Sequence, residues 1–199
     1  MKGGKRRRGV KQTDRLSDLP NGILHHILSF LDSESVVRSN ILSRRWVWKE
    51  VHVLNFYGHS CKAKQKQQHI ERHVDQILSC RSDCNVRKIS IFFDIQAHVI
   101  PYLGIVKYAA SHGLQQLYVL HKEEDDRFLI LSADVALIST YVRSLKVLDL
   151  QWAVLDESAL GFWSHLKLLE TLTLRDCEFD FGGPDNLPDP LLLFSDWKT

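Results

Sequence analysis

No stretch of this 199-residue sequence approaches the ~18–20 uninterrupted apolar residues of a membrane-spanning helix, and the opening MKGGKRRRGVKQTDR has no apolar segment behind its charges. Neither a span nor a secretory leader is expected. Cysteine is scarce: Cys61, Cys80, Cys84 and Cys177, in a chain without an export signal, are expected to stay reduced, which excludes a disulfide framework. A Gly-rich phosphate loop, a nucleophile elbow and a His-Glu-x-x-His pair are all missing, and Cys177 has no base that spacing alone can place beside it. The chain is therefore expected not to be an enzyme and to need no cofactor. Strong charge of one sign is also lacking over most of the length. The net charge is +2, but residues 1 to 15 hold seven Lys/Arg against Asp14, a net +6 that leaves −4 for the remainder. Only the N-terminal tail is basic.

What is present is an ordinary globular composition, 44% hydrophobic and 25% charged, long enough for one or two domains. Residues 2–13 offer Val10 as their one large apolar side chain, too little burial to offset ordering, and residues 1–13 are expected to be a disordered basic tail. Its cluster Lys5, Arg6, Arg7 and Arg8 fits a nuclear-import signal, a nonspecific nucleic-acid contact or a merely solvated tail. From Leu16 the pattern changes. Leu19, Ile23, Leu24, Ile27, Leu28 and Leu31 share one face of a helix, with Pro20 in the first turn, where its missing N–H costs nothing. Asp32 or Ser33 can cap a second helix with the stripe Val36, Val37 and Ile41, and a third short piece has Ser43 as its cap and Trp46 pointing inward. Three such short helices have too little depth to hide their apolar residues, so the bundle should have a partner.

The stretch LSDLPNGILHHILSFLDSESVVRSNILSRRW closely resembles an F-box of the plant type. The Leu-Pro opening, the Ile-Leu-x-x-Ile-Leu-x-x-Leu helix and the Leu-Ser-x-Arg-Trp close follow in that order and spacing. The resemblance implies docking onto the Skp-type linker subunit of a cullin–RING ubiquitin ligase. It carries over Leu19, Pro20, Ile23, Leu24, Ile27, Leu28, Leu31, Val37, Leu42 and Trp46 as the contact and core set. Two positions depart from the family pattern. A second tryptophan usually follows after three intervening residues, whereas only Val47 separates Trp46 from Trp48 here, and a two-residue contraction turns a helix by about 200°. Either the last turn is remodelled or Trp48 begins the exit strand. Gly22 stands where the family often has glutamate, at a cost of up to about 1 kcal/mol and with loss of a capping-box acceptor. Trp46 among Arg44, Arg45 and Lys49 also has the composition of a base-stacking platform. Its place where a helix closes on its own bundle buries the ring and leaves the basic residues as a rim, so nucleic acid is not the expected partner.

Further along, Leu/Val-x-x-Leu/Ile-x-Leu/Ile/Val recurs as VRKISI from Val86, LQQLYV from Leu114, LKVLDL from Leu145 and LETLTL from Leu169, at separations of 28, 31 and 24 residues. Each core alternates at period 2, as a short parallel strand with one buried face does. Pro101 and Gly113 punctuate a helix between the first two. This resembles an irregular leucine-rich repeat array of the kind that follows an F-box in plant proteins. The fold expected is α+β in two parts, a three-helix F-box followed by a short irregular leucine-rich-repeat α/β solenoid. The boundaries are 14–58 for the F-box, 59–84 for a linker helix, 85–183 for about four repeats and 184–199 for an atypical tail with Pro184, Pro188 and Pro190. Arg87, Lys88, Gln115, Gln116, Lys146 and Asp149 are taken as outward positions near a target-binding surface.

The acidic run HKEEDDRF at 121–128 lacks the turn glycine of a calcium loop and is expected to be a solvated loop. Cys61, His69, His73, Cys80 and Cys84 are zinc-ligand types, but their spacing matches zinc sites poorly and QHIERHVDQILSC reads as an amphipathic linker helix. No metal is expected. The reading that follows is a substrate-recruiting adaptor of a ubiquitin ligase, partnered by a Skp-type linker, through it a cullin, and an unnamed protein target, in the nucleus, the cytoplasm or both. The alternatives are a stand-alone protein-binding solenoid with a defective F-box, and a basic-tailed nucleic-acid binder.

Overall fold

A computed structural model of the chain describes residues 18–39, 47–58, 72, 74–93, 102–121, 130–156 and 161–180. Helices α1 (Asn21–Leu28) and α2 (Ser33–Arg38) form where the periodicity places them. Pro20 stands at the N-cap of α1, its carbonyl accepting from the Ile23 and Leu24 N–H groups at 3.0 and 3.1 Å. Asp32 caps α2, accepting from the Ser35 N–H at 2.8 Å. Burial pushes the Asp32 carboxyl up, but its hydrogen bonds, those from Ser35 foremost, outweigh it and hold it below the ordinary carboxylate value.

Where a third helix was expected, residues 40–46, with Leu42 and Trp46, lie outside the described residues, and the chain continues in a 3-10 turn, Val47–Glu50. This turn buries Trp48 together with Val36 and Val51, and Leu28 and Val37 pack against the three. Trp48 is therefore core in a remodelled turn; the exit strand β1 (Val53–Gly58) begins only after it.

The strands that follow are β2 (Lys88–Phe93), β3 (Gln116–His121), β4 (Ile130–Leu131), β5 (Val147–Gln151), β6 (Ala153–Asp156), β7 (Thr171–Arg175) and β8 (Glu178–Asp180). β1-β2-β3-β5-β7 make one parallel sheet in sequence order, and β4-β6-β8 make a second. The four motifs coincide with β2, β3, β5 and β7, and their second apolar positions sit in one register row, Ile89, Leu117, Leu148 and Leu172. β1, placed with the first part by sequence, pairs with β2 from Val53↔Lys88 to Gly58↔Phe93, so the repeat sheet begins at Val53.

The stacking rule is visible in the backbone. The carbonyls of His52, Arg87, Gln115 and Lys146 each accept two N–H groups from the start of the next strand, and the first motif residues Val86, Leu114 and Leu145 are fully buried beside them. Helices cover the apolar face of the main sheet: α3, described over residues 74–79, α4 (Tyr102–Ser111) and α5 (Ser132–Tyr141). Val74, Ile77, Leu78, Ile105, Val106, Val135 and Ile138 join the strand residues in one core. Gly113, at φ +65°, takes the left-handed turn after α4. One residue, Trp152 (φ +61°), carries the chain from β5 into β6, and Asp176 (φ +51°) makes the equivalent turn after β7. Among the described residues no helix is long and apolar enough to cross a membrane.

Candidate functional site

Two surfaces stand out, one on each part. In α1, Leu24 is 5% exposed, whereas Ile23, Ile27, Phe30 and Leu31 are 49, 40, 72 and 38% exposed. Their spacing of four, then three or four, residues puts them on one stripe running off the end of the helix. The stripe is fixed in place from below. α1 packs on the 3-10 turn, and the Asn55 amide of β1 donates to the carbonyls of Ser29 and Leu31 at 2.8 and 3.0 Å, satisfying acceptors that the helix end leaves open. The Phe30 ring is held edge-on to His26 at 4.9 Å. Of the residues carried over from the resemblance, Leu19, Leu28 and Val37 are half-buried and Pro20 is exposed. Phe30 was not singled out in the sequence, although it stands seven residues after Ile23 on the same face.

The second surface is the face of the main sheet opposite α3, α4 and α5, where the end of α1 covers Asn55 of β1. Tyr57 and Phe92 stack on adjacent strands, centroids 4.6 Å apart and rings 7° from parallel. The Lys88 ammonium lies 4.3 Å from the centre of the Tyr118 ring. Lys88 and Gln116 share this face and are half-buried, while Arg87 and Gln115 are exposed just ahead of their strands. Lys146 ion-pairs with Glu170 at 2.7 Å. Asp149 corrects the sequence reading: it is on the expected face but only 3% exposed, with Oδ2 paired to the Arg175 guanidinium at 2.6 Å and Oδ1 buried without a hydrogen-bond partner. Its strand lies inside the sheet, between β3 and the edge strand β7, so neighbours flank it on both sides.

The Cys177 thiol points at the Leu150 and Arg175 carbonyls, and burial pushes its pKa up, the opposite of what a nucleophilic thiolate needs. Among the described residues no three His, Cys, Asp or Glu side chains converge as a metal site. Cys61, His69, His73, the 121–128 acidic run beyond His121, and Lys5, Arg6, Arg7 and Arg8 lie outside those residues.

The described residues thus form two parts, a small helical module with an exposed apolar stripe and a stack of parallel strands. The chain is similar to a putative F-box/LRR-repeat protein of Arabidopsis thaliana, 28% identical over 89% of this chain and 36% of that protein. It is similar to an F-box/LRR-repeat protein of the same plant, 28% identical over 82% of this chain and 39% of the relative. A putative F-box/FBD/LRR-repeat protein of that plant is 43% identical over 28% of the chain. The chain thus spans less than two-fifths of the length of these two F-box/LRR-repeat relatives, which it matches along most of its own. No family model and no solved structure matches it.

Proposed function

We propose that the chain is a non-catalytic adaptor of a ubiquitin ligase: the helical module docks on a Skp-type linker protein, and through it a cullin, while the open face of the repeat sheet holds a protein target. The observation that carries this reading is the exposed apolar stripe Ile23, Ile27, Phe30 and Leu31, of which Ile23, Ile27 and Leu31 stand at positions that the F-box resemblance assigns to the contact and core set. Full burial of such a side chain contributes about 1.5–3 kcal/mol, and four of them half-covered in the free chain still leave enough for a specific interface. Holding ligase and target on one chain raises their effective concentration, which is all the chemistry an adaptor supplies.

The test is capture of a purified Skp-type linker protein by the wild-type chain and by an Ile23→Asp, Ile27→Asp variant. Both side chains are exposed, so the variant should stay folded and lose capture. Leu24→Asp would be a poor choice, because it places a charge in the buried side of α1. Failure of the folded wild type to bind would leave the array as a stand-alone binding module. Import through Lys5, Arg6, Arg7 and Arg8 would place the adaptor in the nucleus as well as the cytoplasm.

A further inference from the structure

We infer that Arg81 is a positioning residue, whose guanidinium fixes the docking helices against the repeat sheet. That this also sets the distance between ligase and target rests on the adaptor reading; the mechanical claim does not. Arg81 follows α3 and reaches three other segments. Its Nε donates to the Tyr108 hydroxyl of α4 at 3.0 Å, Nη1 to the Trp48 carbonyl at 3.3 Å, and Nη2 to the Val51 carbonyl, with Cys84 Sγ 3.4 Å from Nη2. Two acceptors belong to the 3-10 turn and its exit, and the phenol belongs to the array.

Arginine alone has the shape for this, a rigid plane of donors pointing in several directions, where a lysine offers one point charge. The acceptors cannot turn to water instead: Trp48 and Val51 are 6% and 1% exposed. Without Arg81 the Val51 carbonyl loses its partner in a dry site, and the cheapest relief is for the turn to swing outward. The phenol cannot follow it. The Tyr108 ring is stacked on His112 at 3.8 Å, and His112 Nδ1 is hydrogen-bonded to the Tyr108 carbonyl at 2.7 Å. Other ties cross the joint, the Asn55 amide to the Ser29 and Leu31 carbonyls at 2.8 and 3.0 Å, Ser82 N–H to the Lys49 carbonyl at 3.2 Å, Cys84 Sγ to the same carbonyl at 3.6 Å and His52 Nδ1 to the Asn85 carbonyl at 2.7 Å, but each joins only two segments. Arg81 is where the turn, α3 and α4 meet.

The test uses the full chain with a dye pair on introduced ketone side chains at the exposed positions 26 and 115, one on α1 and one ahead of β3. The wild type should give one narrow distance distribution. Arg81→Gln and Arg81→Lys should each add a longer, broader population well below their unfolding temperatures, and Tyr108→Phe, which loses one phenol oxygen, a smaller one. Ile138→Val, a core change in α5, should lower stability and leave the distribution narrow. A wild-type distribution in folded Arg81→Gln overturns the inference; if that variant does not fold, a wild-type distribution in Tyr108→Phe overturns it. Linker capture is read on the same chains without labels, because His26 packs against Phe30 of the stripe. Absence of capture by the wild type would sink the adaptor reading and leave the distance result standing.

Discussion

Asp149 and Asp32 are two carboxylates of the same chain that burial treats differently. Asp149 is enclosed with one cation, and removing that cation leaves a charge in a site that water does not reach. Arg175→Ala should cost about 1–2 kcal/mol, less than the roughly 3–5 of a fully buried pair because the Arg175 side chain is 52% exposed. Asp149→Asn should cost less than that, since it removes the buried charge and keeps the shape; urea midpoints of the two variants decide the order. Asp32 instead gains from its hydrogen bonds. Its folded pKa lies below the reference 3.8, so its contribution is present above that value and fades as the pH falls through the folded one. Asp32→Ala should therefore lose about 1 kcal/mol at neutral pH and converge with the wild type in acid, as thermal melts across the range would reveal. Alternation along β5 gave the face of Asp149 in the sequence; its depth depends on flanking strands that no local pattern contains.

At the level of elements, what was legible had a period. The strands of the four motifs, the helix ending at Gly113 and the first two helices carry regular apolar spacing, and all appear where it places them. β4, β6 and β8 are two to four residues long, too short to alternate visibly, and β6 and β8 arise where a single left-handed residue, Trp152 or Asp176, redirects the longer strand before it. β1 escaped as a repeat strand because Phe56 stands where the motif has Leu, Ile or Val, although Val51-x-x-Leu54 keeps the leading frame; its place in the sheet is set by pairing with β2. The corner at Asp176 offers a clean measurement. At φ +51° a Cβ is unfavourable for most residues, while Asp tolerates it and glycine is at ease. Asp176→Ala should destabilise by about 1 kcal/mol, whereas Asp176→Gly should be neutral or slightly stabilising despite losing the hydrogen bond from Gln151 at 3.3 Å. Equal losses for both would mean that the carboxylate, and not the backbone, holds the corner.

Across the whole molecule, the sequence exposed two parts but not the way they are joined. The apolar stripe of the first helix merged Leu24, which is core, with Ile23 and Ile27, which are open, because periodicity marks a face and not what covers it. Asn55, Arg81 and Trp48 bind the parts together through backbone carbonyls, contacts with no signature in residue spacing. The order of the main sheet carries one more consequence. Every strand of this sheet after β1 pairs with the strand of the sheet made before it, so only β1 waits for a partner still to be synthesised, and the sheet can be completed in the direction in which a ribosome delivers it. Nascent chains stalled with Gln151 just outside the exit tunnel should already shield β1, β2 and β3 from protease, whereas those stalled after Gly58 should leave β1 open to cleavage.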